Sequence, residues 1–93
     1  MSLPEPALAG LVLLGREDCS LCDDMQEALD ELAQELSLPP LQHLDVDEDP
    51  VLLRRYGLDV PVLLLDGVKV CEHRLDAAEL RRLLRGGRTP HRL

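Results

Sequence analysis

Leu11-Val12-Leu13-Leu14-Gly15-Arg16-Glu17-Asp18-Cys19-Ser20-Leu21-Cys22 is the stretch from which the rest of the chain is read. A continuous apolar run ends on a glycine, three charged residues turn the chain, and a Cys-x-x-Cys pair falls where an amphipathic pattern starts. That order predicts a buried strand, a loop, and a helix whose first turn carries two thiols. The placement gives the pair its chemistry. The thiolate is the reactive form of cysteine, and the free N–H groups and dipole of a helix N-terminus favour negative charge there. Cys-x-x-Cys beside a βαβ pattern points to thiol redox chemistry. Half of a zinc site, or two ordinary core cysteines, are the other readings the tetrapeptide allows.

Working outward, residues 1–9 carry Pro4 and Pro6 and read as a loosely ordered lead-in. The unbroken apolar character of Gly10–Gly15 suits a central strand covered on both faces. From Cys22 onward, Cys22, Met25, Leu29, Leu32 and Leu36 recur at three- and four-residue steps among acids, which predicts an amphipathic helix. It should end near Ser37, since Pro39 and Pro40 cannot continue it. Leu41–Val46 alternates as a second, edge strand, on which His43 reads as a solvated or capping residue. Asp49 caps a short helix from Pro50 to Tyr56 that Gly57 stops, and the Tyr56 ring is expected beneath the sheet. Val60–Leu65 is a buried strand opened by Pro61. Asp66-Gly67 is a hairpin turn, and Val68–Cys71 returns antiparallel as an edge. Asp76 caps a last helix with Ala77, Leu80, Leu83 and Leu84 on one face. Gly86-Gly87 ends it, and 88–93 is a loosely ordered tail. The expected fold is α/β, βαβαββα, with a four-stranded mixed sheet in order 2-1-3-4 and helices on both faces.

Ninety-three residues make a single domain, 1–93, with its core over about 10–85. That core is aliphatic: there is no Phe or Trp, and Tyr56 is the one aromatic ring. The longest apolar runs are too short for a membrane span. The first ten residues lack the pattern of a secretory signal, and three cysteines are an odd number for a disulfide-stapled scaffold. Cytoplasmic location is the expectation. Residues 1–53 hold thirteen acids and one base (−12), residues 54–93 five acids and nine bases (+4), and the two sum to the net −8. An acidic first half repels phosphate backbones, so nucleic acid is not an expected partner. The basic end (Arg81, Arg82, Arg85, Arg88, Arg92) reads as a solvated helix face and tail.

Three features coincide: Cys-Ser-Leu-Cys between strand and helix, Val60-Pro61 opening the third strand, and the Asp66-Gly67 hairpin. Together they resemble the thioredoxin fold in its glutaredoxin-type form. Asp45-Val46-Asp47, Tyr56-Gly57 and Val60-Pro61-Val62-Leu63 are similar to a group of small bacterial glutaredoxin-like proteins. The resemblance implies a thiol-disulfide oxidoreductase in which Cys19 attacks and Cys22 resolves the mixed disulfide. It also implies a cis peptide bond at Pro61, with Val60 and Pro61 facing a bound thiol peptide. Arg16 joins this substrate-binding set as the lone base offsetting the acids around Cys19. The implied partners are protein thiols or small disulfides, met by a monomer without a resident cofactor. Glutaredoxins carry a base before the motif and two glycines after the fourth strand. Here Glu17, Asp18, Asp23 and Asp24 surround the cysteines, and Cys71-Glu72-His73-Arg74 ends the strand. Glutathione, itself anionic, is therefore expected to bind only weakly as a co-substrate.

Two other readings stay open at this point. Cys19, Cys22, Cys71 and His73 have the residue types of a zinc or iron-sulfur site. A redox-inert adaptor on the same fold, binding a partner through its acidic helix face, is the other. Cys71 is expected to remain outside any disulfide.

Overall fold

The computed structural model describes residues 8–86. The expectations for residues 1–7 of the lead-in and for 87–93 therefore lie outside the described residues. Eight elements follow in order: β1 Leu11–Gly15, α1 Ser20–Leu32, β2 Leu41–Asp45, a 3-10 turn at Val46–Glu48, α2 Pro50–Tyr56, β3 Val62–Leu65, β4 Val68–Glu72 and α3 Ala77–Leu84. The sheet has the order β2-β1-β3-β4. β1 runs parallel to β2 and antiparallel to β3, and β3 runs antiparallel to β4.

Alternation along the central strands divides the core into two layers. Leu11 and Leu13 of β1, with Leu63 and Leu65 of β3, face Met25, Leu29 and Leu32 of α1 and Leu80 and Leu83 of α3. Val12 and Leu14, with Val62 and Leu64, face Val46 and Leu52 on the α2 side, where Tyr56 packs half-buried. β1 and β3 are thus apolar at nearly every position because helices cover both sides of them. Among the described residues no helix is long and apolar enough to cross a membrane.

Local chemistry explains the ends of the elements. Asp49 Oδ1 accepts from the Val51 and Leu52 amides, with Pro50 at the first helical position. Asp76 Oδ1 accepts from the Glu79 amide and caps α3. Asp66 and Gly67 have φ of 51° and 84°, the two positive values that let a two-residue turn follow the strand twist. The Asp66 carboxylate and amide also grip the Gly10 amide and carbonyl, tying the hairpin to the start of β1.

Some element ends and one strand register differ from expectation. α1 stops at Leu32, five residues before Ser37, and continues as tighter turns in which Gln34 and Glu35 donate to Glu31 and Leu32. No base lies in the last turn, and Glu31 and Glu35 oppose the negative end of the helix dipole. Leu36 still packs on the core despite leaving the helix. Val46 belongs to a 3-10 turn rather than β2, because the Asp45 carboxylate accepts from the Asp47 amide and bends the chain. β3 begins at Val62, after the proline rather than at Val60. In β4 the pairing shifts between Leu63–Cys71 and Leu64–Lys69, leaving Val70 as the extra residue of a bulge. Simple alternation would turn Cys71 away from Val70; the bulge puts both against the α1–α3 layer.

Candidate functional site

β1 delivers the chain to the end of the sheet where the two motif cysteines stand. Asp18, at φ 55°, turns it sharply, and Cys19 becomes the N-cap of α1. Its Sγ accepts a hydrogen bond from the Cys22 amide at 3.1 Å, so one free donor of the helix end is aimed at this sulfur. Cys19 and Cys22 form a disulfide with Cα atoms 5.2 Å apart. The two sulfurs differ in access. Cys19 is half-exposed, whereas Cys22 lies on the apolar stripe of α1 and is only 8% exposed. Gly15 makes room for it, since a Cβ there would sit 3.1 Å from Cys22 Sγ.

The third strand reaches the same end. Val62 pairs with Leu14 in β1 and with Glu72 in β4, so Pro61 lies beside the exit of β1 and the start of the Cys19 loop. Val60-Pro61 is a cis peptide bond, with Pro61 buried and Val60 half-buried. The Pro61 carbonyl accepts from the His73 amide at 2.7 Å, where His73 turns at φ 71°. The end of β4 is thereby fastened to the proline loop.

Arg16 stands beside the motif with its donors directed inward on the fold. Nε and one terminal nitrogen donate to the two Asp47 oxygens at 3.1 and 2.9 Å, and the other donates to the Gly57 carbonyl at 2.9 Å. The guanidinium so braces the exit of β1 against the 3-10 turn and the end of α2. It holds the Asp47 carboxyl below its ordinary value, chiefly through that hydrogen-bonded contact. Nothing local in the sequence marks Asp47 and Gly57 as partners of Arg16, because they lie 31 and 41 residues away.

On the β2 side of Cys22 opens a cavity of about 340 Å³. Leu13 and Leu44 lie among its walls, along with Arg16, His43 and the carboxylate-bearing Glu17, Asp23, Asp45 and Glu48. His43 is placed by a hydrogen bond between its Nε2 and Gln26 Oε1, and Gln26 in turn donates to Asp30. The acids of this cavity are visible in the sequence, but its lining joins β1, α1 and β2 and is not local in sequence.

The four-residue metal set does not converge. Among the described residues, one grouping of His, Cys, Asp and Glu brings three or more ligand atoms together: Asp59, Glu72 and His73, with no cysteine in it. Cys71 is a free, half-buried thiol in the α1–α3 layer, and burial raises its pKa above the ordinary value.

The model of the glutaredoxin-like domain family (DUF836) matches residues 10–85 of this chain. Similar solved structures include the solution structure of a protein from Nitrosomonas europaea, 28% identical, with a TM-score of 0.72 over 89% of this chain and 98% of that one. The X-ray structure of a protein from X. campestris is 35% identical, with a TM-score of 0.64 over 83% of this chain and 97% of that one. Thioredoxin 1 from Thermosipho africanus, at 17% identity and TM-score 0.54 over 81% and 93%, shares the fold.

Proposed function

Since the chain belongs to the glutaredoxin-like family, we propose that it is a thiol-disulfide oxidoreductase with Cys19 as nucleophile and Cys22 as resolving thiol. One observation carries this reading: two sulfurs within bonding reach at a helix N-terminus, one accessible and hydrogen-bonded by a free amide, the other buried. In the reduced protein the Cys19 thiolate attacks a substrate disulfide, forming a mixed disulfide and expelling one substrate thiolate. The Cys22 thiol then gives up its proton and attacks Cys19 Sγ. The protein disulfide forms and the second substrate thiol leaves, so two electrons pass to the substrate.

Val60 and Pro61 flank the mixed disulfide in this reading, and the Val60 backbone offers hydrogen bonds to the extended substrate. Arg16 serves as a positioning residue, holding the loop that leads into Cys19 through Asp47 and Gly57. Glutathione is a weak co-substrate, protein thiols or small disulfides are the substrates, and the working unit is a monomer. A free Cys71 suits a reducing compartment, and the cytoplasm is the location this reading assigns.

The test is reduction of insulin or 2-hydroxyethyl disulfide with dithiothreitol as electron source. Wild type should accelerate it and Cys19→Ser should not. Reduced Cys22→Ser, freed of dithiothreitol and mixed with the disulfide, should hold a mixed disulfide on Cys19 visible as added mass. Full activity in Cys19→Ser would refute the assignment.

A further inference from the structure

Resting on the reductase reading, we propose that this dithiol selects disulfides that carry positive charge: peptide disulfides with a lysine or arginine beside the cysteine, whose cation enters the cavity next to Cys22. The cavity adjoins the dithiol on the side of Cys22, which lines it together with Gly15 and is bonded to Cys19. Four acids, Glu17, Asp23, Asp45 and Glu48, are among its lining residues, and Asp45 also accepts from the Asp47 amide.

No full positive charge is left there to receive an anion. Arg16 is the one Arg or Lys among the lining residues, and both faces of its fork are engaged by Asp47 and Gly57. Glu17, Asp23 and Glu48 form no ion pair among the described residues. Their carboxylates remain available to a cation brought in by the substrate. An anionic disulfide meets the same field as repulsion, so attraction and exclusion work together.

The experiment is a single turnover of prereduced protein, which needs no outside reductant. The protein's two thiols become its disulfide, and one substrate disulfide becomes two thiols. Cystamine (cationic), 2-hydroxyethyl disulfide (neutral) and 3,3′-dithiodipropionate (anionic) are compared by the thiol released. Each rate is divided by that of dithiothreitol with the same compound, which removes their intrinsic reactivities. At low ionic strength the normalised cystamine rate should exceed the dithiodipropionate rate by about tenfold, the low end of electrostatic steering. The ratio should shrink toward unity in about 1 M salt, where charges are screened beyond ~3 Å. It should also shrink in Glu17→Gln/Asp23→Asn/Glu48→Gln, with the neutral disulfide reporting any general change in thiol reactivity. Equal normalised rates for all three compounds overturn the charge selection and leave the reductase standing. A ratio that survives the triple substitution overturns the role of the cavity. If none of the three is reduced, the reductase reading falls and this inference with it.

Discussion

Replacing Gly15 with alanine places one methyl group against the sulfur of Cys22. The new Cβ would lie 3.1 Å from Sγ and 3.4 Å from Cβ of Cys22, about half an ångström inside comfortable contact. In the oxidised protein the sulfur is fixed by its bond to Cys19, so the overlap must be absorbed by the end of β1 or the first turn of α1. Overpacking of this kind costs about 1–3 kcal/mol, and the stiffer alanine backbone returns about 0.4–1 kcal/mol. The net is about 1 kcal/mol against the oxidised form. In the reduced protein the Cys22 thiol can rotate away from the methyl, and the cost largely vanishes. A difference of about 1 kcal/mol between the two forms makes the couple about 20 mV more oxidising, at 30 mV per 1.4 kcal/mol. The assay is equilibration with graded ratios of reduced and oxidised dithiothreitol, followed by thiol labelling and mass measurement. Thermal unfolding of each form should show the oxidised variant lowered and the reduced one nearly unchanged. An unmoved potential, or equal destabilisation of both forms, would refute the claim that Gly15 exists to seat this sulfur.

Three further outcomes are expected. Asp49→Ala removes the acceptor for two amides of α2 and should cost about 1 kcal/mol, lowering Tm by about 4–8 °C in oxidised and reduced protein alike; Asp49→Asn should restore most of it, and an unchanged Tm for the alanine variant would refute the cap. Because Arg16 holds the Asp47 carboxyl below its ordinary 3.8, the pair's contribution to stability is complete above that value and disappears as pH falls through the lower folded-state value. Acid unfolding followed by circular dichroism should show Asp47→Asn losing this part of the pH dependence, and a variant curve parallel to wild type would contradict it. Burial raises the Cys71 thiol, so in reduced protein at neutral pH iodoacetamide should modify Cys19 well before Cys71, as read by peptide mapping; equal rates would show that Cys19 is not the activated thiol.

Much of this architecture is legible in local patterns, because the forces that set it are local. The run Leu11–Leu14 is apolar at every position, as burial on both faces demands. Asp49-Pro50 and Asp66-Gly67 carry their cap and turn within a few residues, and both form as written in the sequence. Cys19 and Cys22 meet because a helix start brings them together whatever the rest of the chain does. What escaped reading was decided by partners far away in sequence. Arg16 looks free beside the motif, but finds Asp47 and Gly57 across the top of the sheet. Cys71 alternates outward on paper, and a one-residue bulge against β3 turns it inward. Leu36 continues the helical periodicity because it keeps its place in the core, although the helix beneath it has already ended.

The cysteines that bond to one another are only three residues apart, and this has a bearing on how the molecule signals its own state. A crosslink so short closes almost no chain; its entropic constraint is about 2 kcal/mol, and it restrains a helical turn that the Cys22 amide and the Asp23–Cys19 backbone bond already hold. Breaking it is expected to leave both core layers and the sheet register as they are. The oxidised and reduced proteins should then present the same contour to their surroundings, and a partner that must tell them apart would have to probe the sulfur atoms themselves. On the proposed oxidoreductase reading, such a molecule would exchange electrons as a reagent does, without a shape that announces whether it is spent.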